Sequence, residues 1–138
     1  MIYNFYDVFN FLLITNSPIP TESVMLVETP SAEVEVDVGS TVYYVCVGYD
    51  ENDPPSITWK FGETILTNDS QTDSLATVYT KEVVLNNLTF TQSILELCSV
   101  QVRNIGNYSC SAIGSTNVTY SFELKVRVCV LVLNLVKD

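Results

Sequence analysis

Histidine is absent from this chain of 138 residues. Its loss removes the commonest general base, the usual zinc ligand and every nucleophile–histidine pair, so the ordinary machinery of hydrolases and metalloenzymes is missing. Basic residues are scarce as well: six Lys and Arg stand against sixteen Asp and Glu, for a net charge of −10. A surface of that sign repels a phosphate backbone and argues against nucleic acid as a partner. No glycine-rich phosphate loop or kinase-type catalytic segment occurs, which leaves phosphoryl transfer without its parts. The apolar tail "VCVLVLNLVKD" is interrupted by Lys137 after nine residues, well short of the ~20 that a helix needs to span a bilayer. Membrane attachment is therefore expected only through sequence beyond this stretch.

Alanine is scarce too, whereas valine is abundant and 27 residues are Ser or Thr. That composition suits strands and not helices, and the length suits one domain with a real core. The first twenty residues carry an apolar patch over residues 9–14, but Asp7 interrupts it and no Lys or Arg precedes it. This makes at best a weak signal-like segment. From Ser23 the pattern becomes strand-like. Val34, Val36 and Val38 alternate with Glu33, Glu35 and Asp37, which predicts a half-buried first strand, broken into two pieces at Pro30. The three carboxylates are expected to protect an edge from pairing with other chains.

Next come "TVYYVCVG", with Val42, Tyr44 and Cys46 on one face, the turn-rich "YDENDPPS", and "ITWKFG", with Ile57, Trp59 and Phe61 on one face and Gly62 closing it. Residues 63–92 read less regularly, with short apolar runs at Ile65–Leu66, residues 76–79 and residues 83–85, and predict one or two edge strands. "SILELCSVQV" turns Leu95 and Leu97 inward, and a last strand alternates at Phe122, Leu124, Val126 and Val128. About seven short strands without a helical period or an internal repeat point to an all-β, two-sheet sandwich.

Cys46, Trp59, and Tyr108 with Cys110 lie in an order that resembles the immunoglobulin superfamily. The stretch "LELCSVQVRNIGNYSCSA" is similar to the corresponding part of intermediate-set or C2-like domains: Leu95, Leu97, Val100, Gly106, Tyr108, Cys110 and Ala112 fall in register, with Asn104 where Asp is usual. The resemblance covers residues 23–128, leaving 1–22 as an N-terminal tail and 129–138 as an apolar C-terminal tail. It implies a Greek-key sandwich with an inter-sheet disulfide between Cys46 and Cys110, Trp59 packed against the bridge, and Tyr108 as a tyrosine corner bonding the backbone upstream. Gly106 is expected to permit a tight turn. Lys81 is the nearest candidate for the basic partner that the family often sets against the position of Asn104, but without a clear match.

Four sequons, at Asn68, Asn87, Asn107 and Asn117, are glycosylation candidates. The "DENDPP" run resembles a cadherin calcium linker only superficially, because the other acidic segments of such a site are missing. No metal or cofactor is expected. Tyr49, Asp50, Glu51 and Asp53 in the loop after the Cys46 strand, with Gly114, Ser115 and Thr116 after the Cys110 strand, are expected at one end of the sandwich as a binding surface. Cys98 is expected to face outward and Cys129 to lie beyond the last strand, an awkward pair for a second bridge. The resemblance thus implies a non-catalytic extracellular module of an adhesion, recognition or receptor protein, with a protein ligand or a homophilic partner. The alternative is a structural spacer of an intracellular elastic filament, whose reducing compartment would leave Cys46 and Cys110 as thiols.

Overall fold

The computed structural model describes residues 24–68 and 76–128. Among the described residues nine strands follow in order: β1 (Met25–Glu28), β2 (Glu33–Asp37), β3 (Val42–Tyr49), β4 (Ser56–Phe61), β5 (Thr64–Leu66), β6 (Ala76–Leu85), β7 (Leu88–Leu97), β8 (Gly106–Ile113) and β9 (Asn117–Arg127), with a 3-10 turn at Val102–Asn104 before β8. They form a four-stranded sheet, β1-β3-β7-β6, and a five-stranded sheet, β2-β9-β8-β4-β5. The fold is the all-β, two-sheet sandwich that the alternation predicts.

The break at Pro30 does more than bend a strand. β1 pairs antiparallel with β3, while β2 crosses over and pairs parallel with β9, so the two pieces belong to different sheets. β2 is then an edge strand, and its outward carboxylates meet the outward bases of β9: Lys125 lies 3.2 Å from Glu33, and Arg127 lies 3.4 Å from Glu35 and 3.0 Å from Asp37. These exposed pairs mark the register of a short parallel pairing and occupy an otherwise open edge.

Cys46 and Cys110 are joined across the two sheets, with Cα atoms 6.7 Å apart. The core around them holds Tyr44, Trp59, Leu95, Leu97, Val100, Tyr108, Phe122 and Leu124. Trp59 stands directly opposite Cys110 in the β4–β8 pairing. Its indole N–H donates across the interior to Ser93 Oγ at 2.8 Å, and Ser93 is the pairing partner of Cys46. A 2.9 Å bond links Ser93 to Thr80 on β6. The core thus contains one short polar chain, with the indole donor satisfied inside it.

Two expectations require correction. Residues 63–92 hold the expected edge strands, β5 and β6, but also the first half of β7, a central strand: β6 and β7 form a ten-residue antiparallel hairpin, the largest pairing in its sheet, turned by Asn86 (φ 50°) and Asn87 (φ 66°). Two successive left-handed residues make the tight hairpin turn whose twist suits the strands, and Asn tolerates that conformation. Val128 lies beyond β9 and is 55% exposed, since Arg127 is the last residue held by β2. Gly106 uses the backbone freedom expected of it, at a positive φ that side chains rarely adopt, and also clears space. It opens β8 at φ 149°, and a Cβ there would sit 2.9 Å from the Phe61 ring, which stacks on Tyr108 with centroids 4.5 Å apart. The tails 1–22 and 129–138, Cys129 included, lie outside the described residues.

Candidate contact surface at the loop end

Four connections converge where β3 ends: the start of β1, the β3–β4 loop, the β6–β7 turn and the β8–β9 turn. Asp50 ties two of them together. Its Oδ2 accepts the Ser115 N–H at 2.7 Å and its Oδ1 accepts the Asn52 N–H at 3.1 Å. Those two backbone donors hold the carboxyl below the usual aspartate range. A Cβ on Gly114 would collide with the Asp50 carboxylate and come within 2.8 Å of Val24, so only glycine lets the two loops close on each other. Thr91 Oγ1 donates to the Pro55 carbonyl at 2.6 Å, and the Val24 N–H donates to Thr116 Oγ1 at 3.1 Å. The loop end is therefore fixed partly by groups that carry no signal in the sequence, the Thr91 hydroxyl and the Val24 backbone N–H among them.

This geometry divides the seven loop residues. Tyr49 and Asp50 are only 8% and 5% exposed, Tyr49 packing against Phe90 at 5.4 Å between centroids. They brace the loop end and are not available as contact residues, contrary to expectation. Glu51, Asp53, Gly114, Ser115 and Thr116 are exposed, and the structure brings them together at one end. Among the described residues no group of three or more Cys, Asp or Glu could hold a metal ion.

The chemistry elsewhere is structural. Tyr108 O–H donates to the Asn104 carbonyl at 2.7 Å, and burial pushes its phenol above the ordinary range. Asn104 is occupied locally, since its Oδ1 accepts the Gln101 N–H at 2.7 Å and closes the 3-10 turn. Cys98 is a free thiol, half-buried beside Glu96.

All four sequon asparagines are exposed. Asn87 lies at the β6–β7 tip and Asn117 opens β9, both at the loop end, while Asn107 lies near the start of β8 at the opposite end. Asn68 differs from the rest. Its carboxamide accepts the Val78 N–H at 2.6 Å and donates to the Val78 carbonyl at 3.0 Å, linking the chain after β5 to β6 of the other sheet.

Residues 25–113 match the family model of the immunoglobulin domain. The chain belongs to the immunoglobulin domain family. No curated protein matches it. Among solved structures, this immunoglobulin domain is similar to titin domain M7, with TM-score 0.56 and 17% identity over 80% of this chain and 99% of that one. It is also similar to the N-terminal eight immunoglobulin domains of Down Syndrome Cell Adhesion Molecule, with TM-score 0.61 and 23% identity over 75% of this chain and 12% of that one. A third likeness is to the Ig1-2 module of the Drosophila receptor protein tyrosine phosphatase DLAR, with TM-score 0.56 and 19% identity over 76% of this chain and 49% of that one. At these identities the likeness is one of fold.

Proposed function

We propose that this immunoglobulin domain is a non-catalytic protein-contact module of an extracellular adhesion, recognition or receptor protein. The observation that carries the reading is the Cys46–Cys110 bridge buried across the sheets, because such a bond persists in oxidising compartments. The contact surface is the rigid loop end, where exposed Glu51 and Asp53 stand beside Ser115 and Thr116 and suit a basic patch on a protein partner, a second copy of the domain included. Pre-fixed loops bind with little ordering cost. Asn87, Asn107 and Asn117 are the preferred glycan acceptors, because Asn68 spends its amide on Val78. Glycans at Asn87 and Asn117 would crowd the loop end, so contact through it requires at least one of those two to be bare. The domain proper is residues 23–128. Splitting the first strand between the sheets, together with the short β5 beside β4, supports the intermediate-set subtype over a plain constant-type sandwich of seven strands.

A second reading is favoured by the likeness to titin M7, which aligns over nearly the whole of that single module. It makes the domain a spacer of an intracellular filament. The mass of the protein from its native source, taken with and without reduction and with and without glycosidase, separates the two. A shift on deglycosylation that maps to Asn87, Asn107 or Asn117 supports the extracellular module. An unmodified chain with Cys46 and Cys110 both reduced supports the spacer.

A further inference from the structure

β6 ends the four-stranded sheet on one side, and no described strand pairs with its outer edge. Asn68 reveals which backbone groups face that edge. Its carboxamide accepts the Val78 N–H at 2.6 Å and donates to the Val78 carbonyl at 3.0 Å, as a residue of a neighbouring strand would. Backbone groups alternate in direction along a strand. Those of Thr80, Glu82 and Val84 therefore point the same way as those of Val78, while those of Tyr79, Lys81 and Val83 are directed to β7. No described residue bonds the backbone of Thr80, Glu82 or Val84 on the outer side. Thr80, Lys81 and Glu82 are exposed, and Val84 is 67% exposed.

A groove runs beside this edge. β5 pairs only with residues 59–61 of β4, so the five-stranded sheet has no further described strand beside the start of β4. The space left there, about 440 Å³, is walled by Pro54, Pro55 and Ile57 on one side and by Thr80, Glu82 and Thr91 on the other. The bond from Thr91 Oγ1 to the Pro55 carbonyl sets the spacing of the two walls.

Charge selects the occupant. Lys81 and Glu82 have no ion-pair partner among the described residues. Two-fold pairing with a second copy, centred on this stretch, would set Glu82 against Glu82 or Lys81 against Lys81, and like charges directly opposite destabilise a sheet. The net charge of −10 adds repulsion between copies and favours a basic partner.

We infer that the open edge of β6 at residues 80–84 takes up an extended segment of a partner protein as an added strand, with a Lys or Arg of that segment set against Glu82. Backbone bonds to Thr80, Glu82 and Val84 supply the affinity, and the charge at Glu82 supplies the choice of partner. This surface is additional to the loop end and does not rest on it.

The test uses the full chain and the synthetic peptide acetyl-Ser-Val-Val-Lys-Glu-Thr-Ser-amide, whose lysine meets Glu82 and whose glutamate meets Lys81 in antiparallel register. A second peptide carries Glu in place of that Lys. The lysine peptide should bind and slow hydrogen exchange at the Thr80, Glu82 and Val84 amides, while the Tyr79 and Lys81 amides, already bonded to β7, change little. Glu82→Lys should weaken the lysine peptide roughly fivefold and strengthen the glutamate peptide. Glu63→Lys makes the same change of charge in the turn between β4 and β5 and should leave both affinities near their wild-type values. Failure of the lysine peptide to bind, protection away from β6, equal effects of the two variants, or protection of the three amides by self-association without peptide would overturn the inference. The exchange pattern of the wild-type chain decides the matter if Glu82→Lys does not fold.

Discussion

The hydroxyl of Ser93 is the residue on which the interior most visibly turns, because it receives the Trp59 indole N–H where the sheets meet. Ser93→Ala leaves that donor buried and unpaired, and is expected to lower unfolding stability by about 1–3 kcal/mol in denaturant titrations. Two tyrosines offer a contrast of opposite sign. Tyr108→Phe removes a bond to the Asn104 carbonyl and should cost about 0.5–1.5 kcal/mol. Tyr44→Phe removes a buried hydroxyl that has no hydrogen-bond partner, and should be neutral or stabilising in the same assay. At Asp50 the sign follows from a depressed folded pKa. Its contribution is fully present above the unfolded aspartate value of ~3.9 and is lost as the pH falls through the lower folded value. The stability gap between wild type and Asp50→Asn should therefore narrow on acidification below that range, and parallel pH profiles would contradict the bond to Ser115. Of these residues, Tyr108 was legible because a fixed Gly-x-Tyr-x-Cys spacing announces it. The polar role of Ser93 and the bracing role of Asp50 were not, since one serine among many carries no signal and a loop aspartate reads as an exposed contact residue until the chain is folded around it.

Among the elements, the β6–β7 hairpin separates what a sequence displays from what it conceals. β3, β4 and β8 were readable because apolar residues alternate in them and a turn cluster bounds each. β6 runs along the edge of its sheet and keeps an exposed Tyr79 and Val84, so its alternation is blurred, and its turn is Asn-Asn in place of the familiar Asn-Gly signal. The outward apolar residues of β3 and β7 blur the pattern further, since a strand buried on both faces shows no period of two. The turn gives a clean test. Asn87→Val places a β-branched residue at φ 66° and should destabilise by about 1–2 kcal/mol, whereas Asn87→Gly should hold or raise stability. Equal midpoints for the two variants would mean that the turn is not the left-handed pair described.

For the whole molecule, the two sheets, the bridge and the rigid loop end belong to one arrangement, in which β1 and β2 bind the two layers at one edge and Asn68 links them at the other. Composition and the Cys–Trp–Tyr-x-Cys resemblance were enough to foresee two sheets joined by a bridge, but not the division of β1 and β2 between them or the Asn68 link. They were not enough to foresee which loop residues stay exposed, because Asp50 and Tyr49 are drawn inward by partners 65 and 41 positions away. The account depends most on the link between Cys46 and Cys110 in the protein as its own cells make it. Alkylation of that material without reduction, followed by peptide mapping, tests it directly. The account predicts one peptide pair joined through Cys46 and Cys110, with the Cys98 peptide alkylated. Recovery of Cys46 and Cys110 as separately alkylated peptides from folded protein would contradict it.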